Sequence, residues 1–255
     1  MKLSSLRQLQ ICLVIMLIPF IVSGQKNDHK KWNLKGKLLS IKEISFTVKE
    51  NNGKIEKDST EYYYVNEFND FGNKIVDTKY FPDGKVDKYY KYKFDNGNRR
   101  IEECQYKADG KLSRTITYKY DQKRFLIEDV SIDGSGKFDK KIVYTYDTQG
   151  NITEDNSFNS EGKLLKKFTY KYDGSGNITE KSKFSNDGSL ERKIIFSYDA
   201  QNNISEETSY NPDNSKAKIT TYTYDYDVQN NWIRKTISVN GKVFNILERE
   251  LVYFK

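Results

Sequence analysis

The sequence predicts an all-β protein: an antiparallel β-meander of about seven 26-residue hairpin repeats forming one long curled sheet, preceded by a signal peptide. Three observations predict it. The 255 residues include 20 Tyr, 14 Phe and 2 Trp but only 3 Pro, 2 Met and 1 His, an aromatic content that disordered chains lack. The aromatic residues Phe68, Phe94, Tyr120, Tyr146, Tyr172, Tyr198 and Tyr224 follow one another at a constant spacing of 26, the signature of a repeat architecture. Between polar turns that carry Gly or Asn, large side chains alternate with small or polar ones, which is the period of a strand rather than of a helix.

The chain opens with the three-part layout of a secretory signal peptide. Lys2 and Arg7 precede an apolar run over residues 11–22, and Val22-Ser23-Gly24 supplies a cleavage site. The run is shorter than the roughly 20 residues of a membrane span. Cys12 opens this run instead of ending it and follows Gln10 and Ile11, so it is not read as a lipidation site. Residues 1–24 are therefore assigned to the signal, and the exported chain is expected in the periplasm, at the cell surface or outside the cell. Its net charge falls from +7 to +5, because Lys2 and Arg7 leave with the signal. Lys and Glu are interspersed along it, without the basic block of a nucleic-acid binder. Cys104 then stands alone, and a lone exported thiol is read as a buried apolar residue. His29, in a polar stretch near the new terminus, is expected in solvent.

Residues 25–66 read as a degenerate first repeat that caps the sheet, with strands at Leu39–Val48 and Glu61–Val65 around the Asn51-Asn52-Gly53 turn. Residues 67–255 form the repeat domain. One copy, from Lys141, reads KIVYTYDTQGNITEDNSFNSEGKLLK. Its Asp-Thr-Gln-Gly-Asn and Asn-Ser-Glu-Gly-Lys stretches place Gly where short hairpin loops need a positive φ. About 14 strands result. Even spacing puts Phe168, Tyr170, Tyr172, Ile178 and Phe184 on one face, and Lys167, Thr169, Lys171, Thr179, Lys181 and Lys183 on the other. A single hairpin buries too little to fold alone, so stacked neighbours must supply the rest. Sheet twist makes the aromatic face concave.

The recurring Tyr-x-Tyr-Asp-x-x-Gly-Asn at Tyr144–Asn151 and Tyr170–Asn177 resembles the RHS/YD repeats of bacterial secreted and surface proteins. The Asp-Gly-Lys turns at 83–85 and 109–111 also resemble MORN-like repeats, and the Gly-Asn version is similar to small exported proteins of Bacteroidetes. The resemblance spans residues 60–245. It implies a β-repeat fold, large shells in the long members and carbohydrate binding in some. Seven repeats are expected to be too few for a closed shell.

Candidate sites follow from the periodicity. Tyr118, Tyr144, Tyr170, Phe196 and Tyr222, two residues before the 26-spaced aromatics, could stack on sugar rings, with hydroxyls from the tyrosines. The alternative for the same residues is ordinary packing of a one-sided sheet. Trp232 joins them as a break in the last repeat, where it could cover the exposed sheet end. Tyr63, Phe125 and Tyr226 are further breaks, and sites often lie where a pattern fails. Bases recur six residues before the aromatics from Phe94 to Tyr224 (Lys88, Arg114, Lys140, Lys166, Arg192, Lys218), and acids eight after those from Phe94 to Tyr198 (Glu102, Glu128, Glu154, Glu180, Glu206). Parity places both rows on the aromatic face as a register-fixing charge ladder, with Glu154 diagonal to Lys166. Asp121, Asp147, Asp173 and Asp199 are read as turn-forming, not as calcium ligands. The Asn-Ile-Thr/Ser triplets at Asn151, Asn177 and Asn203 recur only because the turn does. No catalytic constellation, cofactor or metal site is expected. The sequence points to a non-catalytic binding module of the cell envelope, with polysaccharide as the partner. A purely structural or protein-binding scaffold, pairing through exposed sheet edges, is the alternative.

Overall fold

The computed structural model describes residues 27–254; the expected signal peptide lies outside the described residues. A four-residue helix α1 (Asp28–Lys31) precedes sixteen strands. A long hairpin, β1 (Leu38–Asn51) and β2 (Lys54–Phe68), turns at Asn52-Gly53, where both residues have positive φ (50° and 76°) as the Asn-Gly hairpin turn requires. Shorter strands follow: β3 (Lys74–Tyr80), β4 (Val86–Phe94), β5 (Arg100–Lys107), β6 (Leu112–Tyr120), β7 (Leu126–Asp133) and β8 (Phe138–Tyr146). The meander continues through β9 (Ile152–Phe158), β10 (Leu164–Tyr172), β11 (Ile178–Ser185), β12 (Leu190–Tyr198), β13 (Ile204–Tyr210) and β14 (Lys216–Tyr226). It ends with β15 (Trp232–Val239) and β16 (Lys242–Tyr253).

Hairpins, antiparallel pairing and the 26-residue repeat agree with the sequence reading. The open sheet does not. The strands within residues 38–66 do not cap an end: β1 pairs with β2 on one side and with β16 on the other, from Leu38↔Tyr253 to Phe46↔Ile246, and the sixteen strands close into a barrel. Closure is favourable because it removes both rows of unpaired edge amides and carbonyls. Among the described residues the buried apolar side chains gather near this seam: Leu38, Ile41, Phe68, Trp232, Ile246 and Leu247. Trp32, Leu34, Leu251 and Tyr253 pack against Leu38, Ile41 and Phe68. Elsewhere sixteen strands enclose more space than side chains fill: the inward aromatic rings are half-buried, while small inward side chains such as Ser131, Ser157, Ser209 and Thr220 are buried between them.

The turns after the 26-spaced aromatics share one construction. In the turn after Tyr146, Asp147 donates its amide to Asn151 O (2.9 Å) and its carboxylate accepts from the amides of Gln149 (3.0 Å) and Asn151 (2.8 Å). Asp173 and Asp199 do the same, and Asp121 accepts from Phe125. These aspartates form turns as expected.

Each turn is followed by a one-residue register shift. Tyr172 pairs with Ile178, but Lys171 pairs with Glu180, leaving Thr179 unmatched. Because strand side chains alternate, one extra residue exchanges the faces of everything beyond it. The expected face assignment is therefore half right. Phe168, Tyr170, Tyr172 and Ile178 share a face; Phe184 lies opposite Lys167 on the other; Lys181 and Lys183, expected in water, share the face of Tyr170 and Phe168.

Candidate functional site

The face bearing the tyrosines is the inner wall. The outward side chains of Lys93 and Lys171 are 68% and 70% exposed, whereas Trp32, in the segment beside one barrel end, contacts inward residues: Lys74 and Arg249 stack on its ring. Three rows line the lumen.

The first row, nearest the turns just described, is formed by the 26-spaced aromatics themselves. The hydroxyls of Tyr120, Tyr146, Tyr172, Tyr198 and Tyr224 donate to the backbone carbonyls of Arg100, Leu126, Ile152, Ile178 and Ile204 at 2.7–2.8 Å. Burial pushes the Tyr146 and Tyr172 hydroxyls up to about 12. Each ring thereby ties two hairpins together, a structural task.

The second row holds the predicted candidates, and each of its tyrosines is set against an acid fifteen residues earlier. Tyr170 donates to Asp155 (2.6 Å), Tyr118 to Glu103 (3.1 Å), Tyr92 to Asp77 (3.5 Å) and Tyr144 to Asp129, while Tyr222 lies beside Glu207. Burial, and then the neighbouring carboxylate, raises the pKa of the Tyr118 and Tyr144 hydroxyls; at Tyr170 burial again leads. Burial also raises the Asp129 and Asp155 carboxyls. The candidates Tyr118, Tyr144, Tyr170, Phe196 and Tyr222 are half-buried, so they line the lumen rather than fill it. Their acid partners are absent from the expected site because the register shift was not visible.

The third row, toward the opposite end, is the base series Lys88, Arg114, Lys140, Lys166, Arg192 and Lys218. Its members keep the parity of the tyrosines within each strand and face inward. The acids expected beside them do not. Glu102, Glu128, Glu154 and Glu180 face outward and pair with Lys93 (2.6 Å), Lys141 (3.7 Å), Lys167 (3.6 Å) and Lys171 (3.0 Å). Glu206 accepts from Thr208 (2.8 Å) on the same wall. The charge ladder of Glu154 with Lys166 is thus replaced by one of Glu154 with Lys167.

At the end carrying the first row, residues 27–37 form a strap. Asn27 caps α1 by accepting from Lys30 N (2.9 Å). Asp28, 5% exposed, accepts from the Lys74 amide and the Arg100 guanidinium, both at 2.8 Å. Farther on, Asn33 donates to Gln201 O (2.8 Å) and Lys35 N to Asn231 Oδ1 (2.8 Å). The strap thus joins turns on separate sides of this end. His29 is buried, not solvated: its ring meets Phe68 edge-on at 4.6 Å and its amide donates to Gly72 O. Gly72 has φ 73°, and a Cβ there would come within 2.8 Å of the His29 ring. The signal for the strap was in the repeat itself. The position of Leu126, Ile152, Ile178 and Ile204 is taken by Lys74 and Arg100 in the two hairpins that hold Asp28.

Trp232 covers no sheet end, since none exists. It is buried, with the Arg249 guanidinium 3.4 Å from its ring centre. Tyr63 stacks on Tyr80 and Phe125 lies against Tyr146, while Tyr226 donates to Asp199 (2.6 Å). These breaks are absorbed by packing. Cys104, expected in a core, is half-buried on the outer wall beside Glu102. Among the described residues, no group of three His, Cys, Asp or Glu could hold a metal ion.

No known protein family and no curated protein matches the sequence. Solved structures are similar in part. A porin-like protein from Bacteroides uniformis matches at 14% identity and TM-score 0.40, covering 85% of this chain and 98% of that one. One from Bacteroides vulgatus matches at 12% and 0.42, with the same coverage. The Tc holotoxin pore of Photorhabdus luminescens matches at 13% and 0.29, over 75% of this chain and 12% of that one. At these scores the likeness carries neither family nor function.

Proposed function

We propose that this chain is a non-catalytic glycan-binding barrel of the cell envelope, water-soluble on its outside and taking sugar into its lumen. The observation that supports this most is the second row. Half-buried tyrosine rings alternate around a concave wall with carboxylates whose geometry their hydroxyls fix. A ring offers an apolar face to the C–H side of a sugar, and a carboxylate retains lone pairs for sugar hydroxyls. The periodic acids lack the asymmetry of a glycoside-hydrolysing pair, which favours binding over cleavage.

The outer wall argues against a membrane-spanning barrel. Such barrels face lipid with an apolar band and keep polar residues inside. Here Lys93, Lys119, Lys141, Lys167 and Lys171 point outward, and each would cost about 2–4 kcal/mol at a bilayer midplane. The scaffold alternative, pairing through exposed sheet edges, loses its means because β1 and β16 occupy each other.

The test is titration of immobilised glycans with residues 25–255, followed by Tyr118→Ala, Tyr144→Ala and Tyr170→Ala. Binding that disappears in variants with unchanged near-UV circular dichroism supports the proposal. Binding that survives all three substitutions, or no binding to any glycan, removes it.

A further inference from the structure

The third row is the part of the lumen that the tyrosine–carboxylate contacts leave unexplained. Four outward lysines are neutralised in the Lys93–Glu102, Lys141–Glu128, Lys167–Glu154 and Lys171–Glu180 pairs. Inward bases divide into two groups, and Lys79 and Lys183 belong to the paired one, with Asp87 (3.0 Å) and Glu191. Arg114 reaches Asp139 (3.2 Å) and Lys88 is held by the Tyr90 hydroxyl. Lys140, Lys166, Arg192 and Lys218 have no carboxylate within ion-pair distance among the described residues, and Lys181 points inward at the level of Tyr170. Arg192 and Lys218 are exposed. The row lies two residues inside the strand starts at the end away from the strap. Bases projecting from several neighbouring strands into one concavity reinforce one another's potential, and a low-dielectric wall focuses it. A ring of Lys and Arg at a pore mouth selects anions.

We infer that the ligand of this barrel is an anionic glycan, whose carboxylate or sulfate groups bind the Lys140, Lys166, Arg192 and Lys218 arc at the mouth away from the strap. This rests on the lumen-binding reading and names the substrate class. The two rows divide the work along the strand. The tyrosines Tyr144, Tyr170 and Tyr222 lie four residues from Lys140, Lys166 and Lys218, about 13 Å at 3.3 Å per residue. Charged groups are held at the mouth, while hydroxyls and ring faces of sugars deeper in meet the tyrosine–carboxylate row. The carboxylates Asp129, Asp155 and Glu207 sit inward of the bases, so a polyanion threaded through the whole lumen would be repelled. The geometry favours a chain whose charge stays near the entrance.

The experiment compares polygalacturonate methyl-esterified at most of its sugars, so that its charges are sparse, with the fully methyl-esterified, uncharged form, using residues 25–255, which contain every element of the barrel. The sparsely charged polymer is expected to bind at least about tenfold more tightly, with an advantage that fades as salt rises from 50 to 500 mM. The variant Lys140→Gln/Lys166→Gln/Arg192→Gln/Lys218→Gln should lose that preference. The outer-wall variant Lys141→Gln/Lys167→Gln/Lys171→Gln should keep it. If the inner variant does not fold, Arg192→Gln/Lys218→Gln, at exposed positions, is read in its place. Equal binding of the two polymers overturns the anionic assignment and leaves lumen binding of neutral glycans standing. Equal losses in the inner and outer variants also overturn it. Failure of both polymers and of all neutral glycans removes both readings.

Discussion

Phe196 and Lys181 occupy the two positions that Tyr170 and Asp155 occupy one hairpin earlier, and the two departures come together. Where the ring lacks a hydroxyl, its fifteen-residue partner is no longer an acid. Lys181 turns instead to the rings of Phe168 (4.5 Å) and Tyr170 (5.5 Å). Glu207, directly across from Phe196, is served by Tyr222, but an acid at position 181 would have no phenol to donate to it, and an unmet buried acceptor costs about 1–3 kcal/mol.

The same logic sets the size of a substitution elsewhere in the row. Tyr144→Phe should destabilise the barrel by about 1–3 kcal/mol, because it strips the Asp129 carboxylate of its donor. Asp129→Asn in the same chain should recover part of the loss. Denaturant titrations of the two single variants and the double variant give the coupling, and strict additivity would refute the pairing.

Alkaline pH should attack the first two rows together. In the folded state Tyr146 and Tyr172 ionise only near 12, against about 10 in an unfolded chain. Above pH 10 the unfolded chain therefore binds fewer protons than the folded one. Stability is complete below pH 10 and falls as pH rises through 12. Absorbance at 295 nm should show these phenols ionising together with loss of near-UV dichroism. Titration near 10 with the fold intact would contradict this.

Arg100→Leu gives that hairpin the residue type found at Leu126 while depriving buried Asp28 of its guanidinium. Breaking one side of a buried ion pair costs about 3–5 kcal/mol, and release of the strap limits the loss. Amide exchange at His29, Leu34 and Lys35 should accelerate by roughly a hundredfold, equivalent to about 3 kcal/mol, with strands β6–β12 unaffected. Uniform acceleration throughout would show that the strap is inseparable from the barrel.

The outer wall predicts behaviour in solution. Residues 25–255 should remain monodisperse without detergent and should not sediment with lipid vesicles. Insertion into vesicles with protected strands would reverse the assignment of the two walls.

The repeat, its hairpins, the turn-forming aspartates and the inward tyrosines and bases were legible because each depends on spacing inside one strand. The partners across strands were not. By parity along the sequence Glu102, Glu128, Glu154 and Glu180 point inward and Asp77, Glu103, Asp129, Asp155 and Glu207 outward, and the unmatched residue that each turn inserts exchanges the two sets. The joint change at Phe196 and Lys181 is a sequence signal that could have exposed the true partners. Closure was illegible for a different reason: whether β1 meets β16 depends on accumulated curvature, which no single repeat contains.

That meeting has a consequence for how the chain acquires its fold. A linear repeat array can lose or gain a unit and keep its remaining interfaces. A ring has a fixed circumference, so removing one 26-residue unit changes the strand count and the tilt of all that remain. The pairing of Ile41 with Leu251 also joins residues near opposite ends of the chain, so the last contact must wait for the last strand. Until then the tyrosine wall and two strand edges face solvent together, and crossing that interval is the slow step expected of so non-local a topology.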